Sequence, residues 1–456
     1  MILCQSFLSS QSSVMSTEQD AVLGLAKDLE GINLLTVPNL ERGHQSKLCK
    51  EKTTSDSSSS RKPSQQRDNY RKRRPKLICI PYTSFLHTGM HNFLTKPPRD
   101  IFHESKEVAL FTNGRAYTIL RKDLIPNLKE SIAELYESSL LEAKKRKVPY
   151  LGHDLFANID EFIPMTISEL DSVSPCFSYI ENWILDNPGK DFKIGKKFTV
   201  VTTRHHIVDL TMHLFNRRNR QTSLIVTYMG AGLLSFCRNA KNDSQMSKEG
   251  IYSNDPNMKK ICYSGFEFEN WVTENSKVAD LTGSKCPIFS LVESKLSEEI
   301  GLLIRCEMDA FNPVSETNTE LKCFAPLSMH NSNHRRKLLK TWVQTGLLPN
   351  SDIMIGLRDS HSGQLLDIQW YSRDLLCKKF NHPGLPTNKK ELNYNAQIAV
   401  EWCHYCIEAI CKLVEANISD YSSTKPESFE IGIDTNNAIV ITKLKTTPKN
   451  VELFGM

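Results

Sequence analysis

Glu307, Asp309, Glu320 and Lys322 are the residues whose types and spacing best suit chemistry. Gly301 to Ala310 reads as one β-rich run, Asn312 to Asn318 as a polar connection, and Thr319 to Phe324 as a second run, which predicts an antiparallel hairpin. Side chains alternate across a sheet with period two, so Glu307 and Asp309 share a face, and so do Glu320 and Lys322. If the hairpin closes, three carboxylates and one ammonium converge on a single patch. Carboxylates a few ångströms apart resist joint ionisation, and a divalent cation relieves that repulsion. Oxygen-only donors favour Mg²⁺ or Mn²⁺ over zinc. A lysine two residues beyond a ligating carboxylate can orient or activate a water, or offset charge on a scissile phosphate; phosphodiester hydrolysis uses these parts together. The competing reading is four ordinary solvent-facing strand positions with a surface ion pair.

Two helices supply further candidates. Gly265-Phe266-Glu267-Phe268-Glu269-Asn270-Trp271-Val272 reads as a helix start with Phe268, Trp271 and Val272 on its buried face and Glu269 at the margin, where a carboxylate can look into a cleft. Arg335 to Gln344 reads as a second helix, buried through Leu338, Leu339 and Trp342. Its Arg336, Lys340 and Gln344 recur at i, i+4 and i+8 and offer two cations and an amide to a phosphate chain. A solvated basic face is the plainer alternative.

These residues need a body to hold them. With 456 residues, 39% hydrophobic and 24% charged, the chain is long enough for a large core, and its composition excludes collagen, coiled coil and wholesale disorder. No run approaches the roughly 18 apolar residues of a membrane helix. The net charge of +5 lies in residues 1 to 76, which hold 13 Lys/Arg against 8 Asp/Glu and end in Arg71-Lys72-Arg73-Arg74-Pro75-Lys76. That segment, rich in Ser, Lys, Arg and Gln, predicts a disordered basic extension, followed by a single domain over 77 to 456. Leu77 to Pro81, Lys197 to Thr203, Ser223 to Tyr228, Ile353 to Leu357 and Ser428 to Ile433 read as strands, and Leu128 to Ala143 as a helix running into Lys144-Lys145-Arg146-Lys147. The mixture predicts α/β or α+β. Thirteen cysteines, an odd number, do not form a secreted disulfide framework, and Cys403-His404-Tyr405-Cys406 lacks a second ligand pair and reads as helix core beside Trp402. Met1 to Leu8 lacks the basic flank of a signal peptide, and Met15 is a second candidate start.

Gly-Phe-Glu-Phe-Glu at 265 to 269, Cys-Glu-Met-Asp at 306 to 309, Glu-Leu-Lys at 320 to 322 and Arg-Arg-Lys-Leu-Leu-Lys-Thr-Trp-Val-Gln at 335 to 344 jointly resemble, in order and spacing, the motifs of the DXO/Rai family of RNA decapping exonucleases, above all its stand-alone fungal DXO-like members. The resemblance implies two twisted mixed β-sheets flanked by helices, with a PD-(D/E)xK nuclease-like core. It implies a metal-dependent hydrolase of RNA 5′ ends that removes incomplete or unconventional caps, releasing a cap dinucleotide or NAD, and degrades the RNA 5′ to 3′ in mRNA quality control. Carried over by motif, Glu269, Glu307, Asp309, Glu320 and the carbonyl of Leu321 would hold two Mg²⁺ or Mn²⁺ ions. Glu307, Asp309, Glu320 and Lys322 would be the catalytic set, with Glu307, Lys322, Gln344, Lys340 and Arg336 touching the substrate. One departure stands out: the family's upstream strand carries Trp-Arg-Gly, whose arginine reaches the 5′ phosphates, and the counterpart here is Tyr228-Met229-Gly230. Methionine has no phosphate fork, which predicts weak or absent pyrophosphate release from 5′-triphosphate RNA.

The alternatives are a non-catalytic RNA-binding accessory subunit of a larger exonuclease and a DNA endonuclease on the same core. Partners are expected to be capped, incompletely capped and NAD-capped RNA 5′ ends, with no membrane and no obligate protein partner, the chain being monomeric. The location is expected to be intracellular and cytoplasmic by preference, although the run at 71 to 76 also suits nuclear import. His205-His206 and Arg217-Arg218-Asn219-Arg220 have no metal or nucleotide spacing and are assigned to surface or core, and no Walker-type or dinucleotide-binding glycine pattern is present.

Overall fold

Phe198-Thr-Val-Val-Thr-Thr is nearly all β-branched, and all six residues are buried, as befits a strand covered on both faces. It is the middle of the sheet that carries the site. The structure, a computed structural model, describes residues 77–78, 100–113, 117–119, 124–134, 151–164, 193–215, 221–239, 250–274, 287–381, 394–422, 425–435 and 437–447. In chain order these form β1 (Leu77–Ile78), β2 (His103–Asn113), β3 (Tyr117–Ile119), β4 (Phe198–Thr203), α1 (Arg204–Met212), β5 (Thr222–Tyr228), β6 (Leu233–Arg238), α2 (Pro256–Val272), β7 (Ile288–Lys295) and β8 (Ile300–Met308). There follow β9 (Ala310–Asn312), β10 (Thr317–Phe324), α3 (Ser332–Thr345), β11 (Ser351–Arg358), β12 (Leu365–Tyr371), α4 (Arg373–Phe380), α5 (Ala396–Glu415), β13 (Glu427–Ile433) and β14 (Ile439–Lys443).

The strands build two mixed sheets, one of ten in the order β1-β14-β13-β5-β6-β4-β8-β7-β2-β3 and one of four in the order β12-β11-β10-β9. β4 runs parallel to both its neighbours, β6 and β8, while β7 and β8 form an antiparallel pair. In the small sheet β10 and β11 are parallel and are joined through α3. One hydrophobic cluster unites the two: Leu302, Ile304 and Cys306 of the large sheet meet Ile353 and Ile355 of the small one around Trp342 of α3 and Trp402 of α5. A second cluster packs Phe268 and Val272 of α2 onto Leu321 and Met354 of the small sheet. The two-sheet α/β architecture flanked by helices is the expected one.

The predicted strands at 197–203, 223–228, 353–357 and 428–433 are β4, β5, β11 and β13, and the run at 77–81 contributes β1. Of the helix expected over 128–143, residues 130–134 are helical and 135–150 lie outside the described residues, as do the basic runs at 71–76, 144–147 and 217–220 and the whole of the extension up to residue 76. Two expectations need correction. The hairpin closes between β9 and β10, not between β8 and β10, because both edges of β8 are already taken by β4 and β7. The chain therefore leaves the large sheet at Asp309 and enters the small one at Ala310. Gly265 does not start a helix but lies in the second half of α2, which begins at Pro256 with Asp255 as cap, its carboxylate accepting from Asn257 N.

Candidate active site

Where the two sheets meet, the predicted residues converge. Glu307 is the one exposed residue of β8, whose other eight positions are buried, so the strand surfaces there. Two residues on, Asp309 Oδ2 accepts a hydrogen bond from Leu321 N at 2.9 Å, which ties the crossing point to β10. Glu320 and Lys322 share the face of β10 opposite the Leu321 side chain, as period two requires. Lys322 Nζ donates to Glu320 Oε1 and, at 2.8 Å, to the carbonyl oxygen of Leu321; Asp309 Oδ2 is 3.6 Å away. Gln344, in the last turn of α3, donates through Nε2 to the same Glu320 Oε1. Glu269 sits half-buried on α2 and feels the charges of Asp309, Lys322, Glu307 and Glu320.

Burial and mutual repulsion set the charges. Desolvation, and then Asp309, raise Glu269 well above the carboxylate range, and desolvation with Glu320 raises Asp309 to about 6. Burial would raise Glu320 as well, yet Arg204 and Lys322 hold it below its ordinary value. Lys322 is desolvated too, but Glu320 and Asp309 keep its ammonium charged. One strongly ionised carboxylate and two reluctant ones thus surround one cation.

That arrangement tests whether a metal fits. The Lys322 ammonium stands among Asp309 Oδ2, Glu320 Oε1 and Leu321 O, three of the oxygens that the resemblance gives to the ions, and so acts as a stand-in cation. Among the described residues no group of three or more His, Cys, Asp and Glu forms a finished metal cage. We attribute this to Glu320, which is drawn toward Arg204 and Gln344. The donor set is all oxygen, anionic and under repulsion, which suits a hard divalent cation once Lys322 Nζ swings aside.

Arg204 is the functional residue that the sequence reading missed. It opens α1 directly after β4, and its Nη1 lies 2.6 Å from Glu320 Oε2. The Met229 assignment falls with it. Met229 follows β5 at the end where its N–H bonds Leu233 O; Leu233 is level with Thr199 and Thr199 with Gly301, six residues along β8 from Glu307. That is on the order of 20 Å from the site. Met229 therefore stands away from the carboxylates, and the expectation of weak pyrophosphate release cannot rest on it. The signal was an arginine at a strand-to-helix junction, in Thr203-Arg204-His205-His206.

A cleft of about 220 Å³ opens beside the carboxylates, lined among others by Arg204, Glu307, Lys340 and Gln344. Lys340 and Gln344 are thus part of the lining. Arg336 is not: its Nε donates to Phe215 O at 3.0 Å, and it is absent from the lining, because it stands two helical turns before Gln344. His205 also lines the cleft, whereas His206 is core. Although its edge is open, burial by the walls, and then Arg305, Arg238, Lys340 and Arg204, push His205 down to about 3, so it is neutral.

The description of an RAI1-like PD-(D/E)XK nuclease matches residues 122–453. The chain belongs to that family. It is a hydrolase of the nuclease class. Decapping and exoribonuclease protein 1 of Saccharomyces cerevisiae is 99% identical over 442 residues, covering 97% of this chain and 100% of the relative. The protein of the same name from Kluyveromyces lactis is 27% identical over 392 residues, covering 83% and 90%. Among solved structures, K. lactis Dxo1 in complex with manganese has a TM-score of 0.60 at 24% identity and covers 82% of this chain and 97% of its own. Scheffersomyces stipitis Rai1 with (3′-NADP)⁺ and calcium has 0.58 at 16%, covering 82% and 93%. Candida albicans Rai1 with pU5 and Mn²⁺ has 0.55 at 15%, covering 77% and 93%. These structural likenesses establish the fold, and the carboxylate cluster lies inside the matched region.

Proposed function

We propose that the chain removes caps from RNA 5′ ends and degrades RNA as a 5′-to-3′ exoribonuclease, using divalent metal held by Glu269, Glu307, Asp309, Glu320 and the Leu321 carbonyl. The observation that carries this reading is the Lys322 ammonium lodged among carboxylate and carbonyl oxygens at the head of a cleft with cationic walls. Bound there, Mg²⁺ or Mn²⁺ would polarise the phosphoryl oxygen and lower the pKa of a bound water, and two ions would clamp nucleophile and leaving oxygen. Once displaced, Lys322 Nζ is free to engage the scissile phosphate or the attacking water. Arg204 keeps Glu320 ionised and oriented, and Gln344 fixes its second oxygen. Glu307 is the donor that also lines the cleft, where it can meet the substrate.

The finer reading is that incomplete and NAD-type caps are the preferred substrates, that the monomer acts in mRNA 5′-end quality control, and that it works in the cytoplasm with residues 1 to 76 as a basic extension. Purified protein incubated with differently capped, 5′-labelled RNAs plus Mg²⁺ or Mn²⁺ should release a cap dinucleotide or NAD and then mononucleotides. The Glu307→Gln, Asp309→Asn double variant should fold and bind RNA but release neither product; turnover in that variant would sink the proposal. A matched DNA oligomer cut at the same rate would move the assignment to a DNA nuclease.

A further inference from the structure

The last carbonyls of α2 need partners from outside the helix, because no further turn supplies N–H groups to them. Two are met by the strap Pro126-Asn127-Leu128-Lys129, which contributes no donor to the carboxylate site. Lys129 N donates to Val272 O at 3.0 Å, and Lys129 Nζ donates to Trp271 O at 2.6 Å while standing 5.4 Å from the centre of the Trp271 ring. An ammonium at this end also complements the negative pole of the helix. Leu128 lies level with Thr273, and Glu274 N donates to Asn127 O at 2.8 Å, so the strap runs antiparallel to the residues that leave α2.

The other edge of the strap is bonded to β9. Asn127 lies level with Phe311 in parallel; Phe311 N donates to Pro126 O at 2.9 Å, and Leu128 N donates to Phe311 O at 2.9 Å. Leu128, 1% exposed, packs in the cluster that holds Phe268, Ala310 and Leu321. The strap thus lies between the end of α2 and the edge of the small sheet, hydrogen-bonded to both. Each side ends beside a proposed metal donor. Phe311 is two residues beyond Asp309. Thr273, on the other side, gives its N–H, at 3.2 Å, and its hydroxyl, at 2.7 Å, to the carbonyl oxygen of Glu269.

Glu269 and Asp309 come from different elements, and two like-charged donors do not hold each other at a fixed distance. Filling the core needs only the Leu128 side chain, whereas the polar bonds of the strap index one ligand-bearing segment against the other. We propose that Lys129 is a positioning residue of the metal site: its two bonds to the end of α2 set the separation of Glu269 from Asp309, and with it the affinity for a divalent ion. This inference rests on the ligand set proposed above and adds the element that spaces it.

The test measures Mn²⁺ binding to the full-length, RNA-free protein by the loss of the free-ion EPR signal, beside hydrolysis of 5′-monophosphate RNA at varied Mn²⁺. Lys129→Met should weaken Mn²⁺ binding about tenfold, the scale for losing a group that orients a metal ligand, and should raise the Mn²⁺ concentration for half-maximal rate by the same factor. At saturating Mn²⁺ its KM for RNA should stay within about twofold of wild type, since no substrate contact is removed. Lys129→Arg, which keeps a cation with N–H donors for Trp271 O, should recover most of the affinity. A loss of stability alone lowers Tm but leaves the Mn²⁺ affinity of the folded protein unchanged. If Lys129→Met does not fold, Thr273→Val, which drops only the hydroxyl on Glu269 O, carries the comparison and should weaken Mn²⁺ binding in the same direction. Wild-type Mn²⁺ affinity in the folded variant, with or without a raised KM, overturns the positioning role and leaves the nuclease assignment intact. A wild type with no saturable Mn²⁺ binding overturns the ligand set as well.

Discussion

Arg204 Nη1 lies 2.6 Å from Glu320 Oε2, and the two side chains are 8% and 3% exposed. Burial works against both charges, yet each is kept by the other: Glu320 is held below the usual carboxylate range and Arg204 above its usual value. Removing Arg204 takes the charged partner from Glu320 Oε2 in a dry site and leaves only Lys322 and Gln344, both on Oε1. Arg204→Met should therefore cost about 3–5 kcal/mol in denaturant unfolding, and Arg204→Lys should recover only part, since an ammonium cannot reproduce the guanidinium fork. An Arg204→Met protein as stable as wild type would show that Glu320 is neutral in the fold.

Lys322 makes a separate prediction, because its ammonium stands where a divalent ion is expected. Lys322→Met should lower the Tm of the metal-free protein, which loses the only cation within 4 Å of Asp309 among the described residues. Mg²⁺ should then raise the Tm by more than it does in wild type, since no ammonium has to be displaced. Turnover should nonetheless fall by about a hundredfold or more, the usual scale for losing a positioned charge-stabilising donor. A smaller metal-induced shift in the variant would mean that Lys322 supports metal binding instead of substituting for it.

The same cluster fixes a pH dependence. Asp309 titrates at about 6 in the fold against an ordinary 3.8, so the metal-free native protein holds a proton there that the unfolded chain has already released. The stability it contributes is full below the unfolded value and is lost as pH rises through about 6. Glu320, shifted down, has the opposite sign: its contribution is present above the ordinary carboxylate value and disappears in acid. Metal must compete with the proton on Asp309, and on Glu269 to a greater degree. The Tm increase from Mg²⁺ should thus be larger at about pH 7.5 than at about pH 5, with protons released on binding. An increase independent of pH would remove these two carboxylates from the ligand set.

Met229 shows where the sequence was legible and where it was not. Glu307, Asp309, Glu320 and Lys322 could be read because charge at period two inside apolar runs is a local signal. Arg204 could not be read that way, since its partner is 116 residues distant and a lone arginine beside two histidines has no periodicity. The hairpin was half right for a similar reason: β8 is claimed by β4, and strand order is a long-range property. Tyr-Met-Gly matched a short motif by pattern, at the wrong end of the sheet. Met229→Arg should accordingly leave hydrolysis of 5′-triphosphate RNA by the folded protein within about twofold of wild type, because the position is remote from the site; a clear gain would restore the original assignment.

Gly356 offers a test of how the two sheets position the donors. A Cβ at this position would meet Phe268 Cε2 at 2.5 Å, and Phe268 is fully buried in the cluster that also holds Leu321. Phe268 precedes Glu269 on α2, and Leu321 supplies the proposed carbonyl donor on β10. Gly356→Ala should cost about 1–3 kcal/mol by overpacking, and the ring can yield only by pushing α2 off β11. That movement separates Glu269 from Asp309 and Leu321 without touching the cleft wall formed by Lys340. The Mg²⁺ concentration for half-maximal activity should rise several-fold while KM for RNA at saturating metal changes little. Gly432→Ala, another strand glycine with no heavy atom within 4 Å of the added carbon, should alter neither quantity. If Gly356→Ala instead raised KM and left the metal requirement alone, α2 would belong to the substrate wall and Glu269 would lose its place among the ligands.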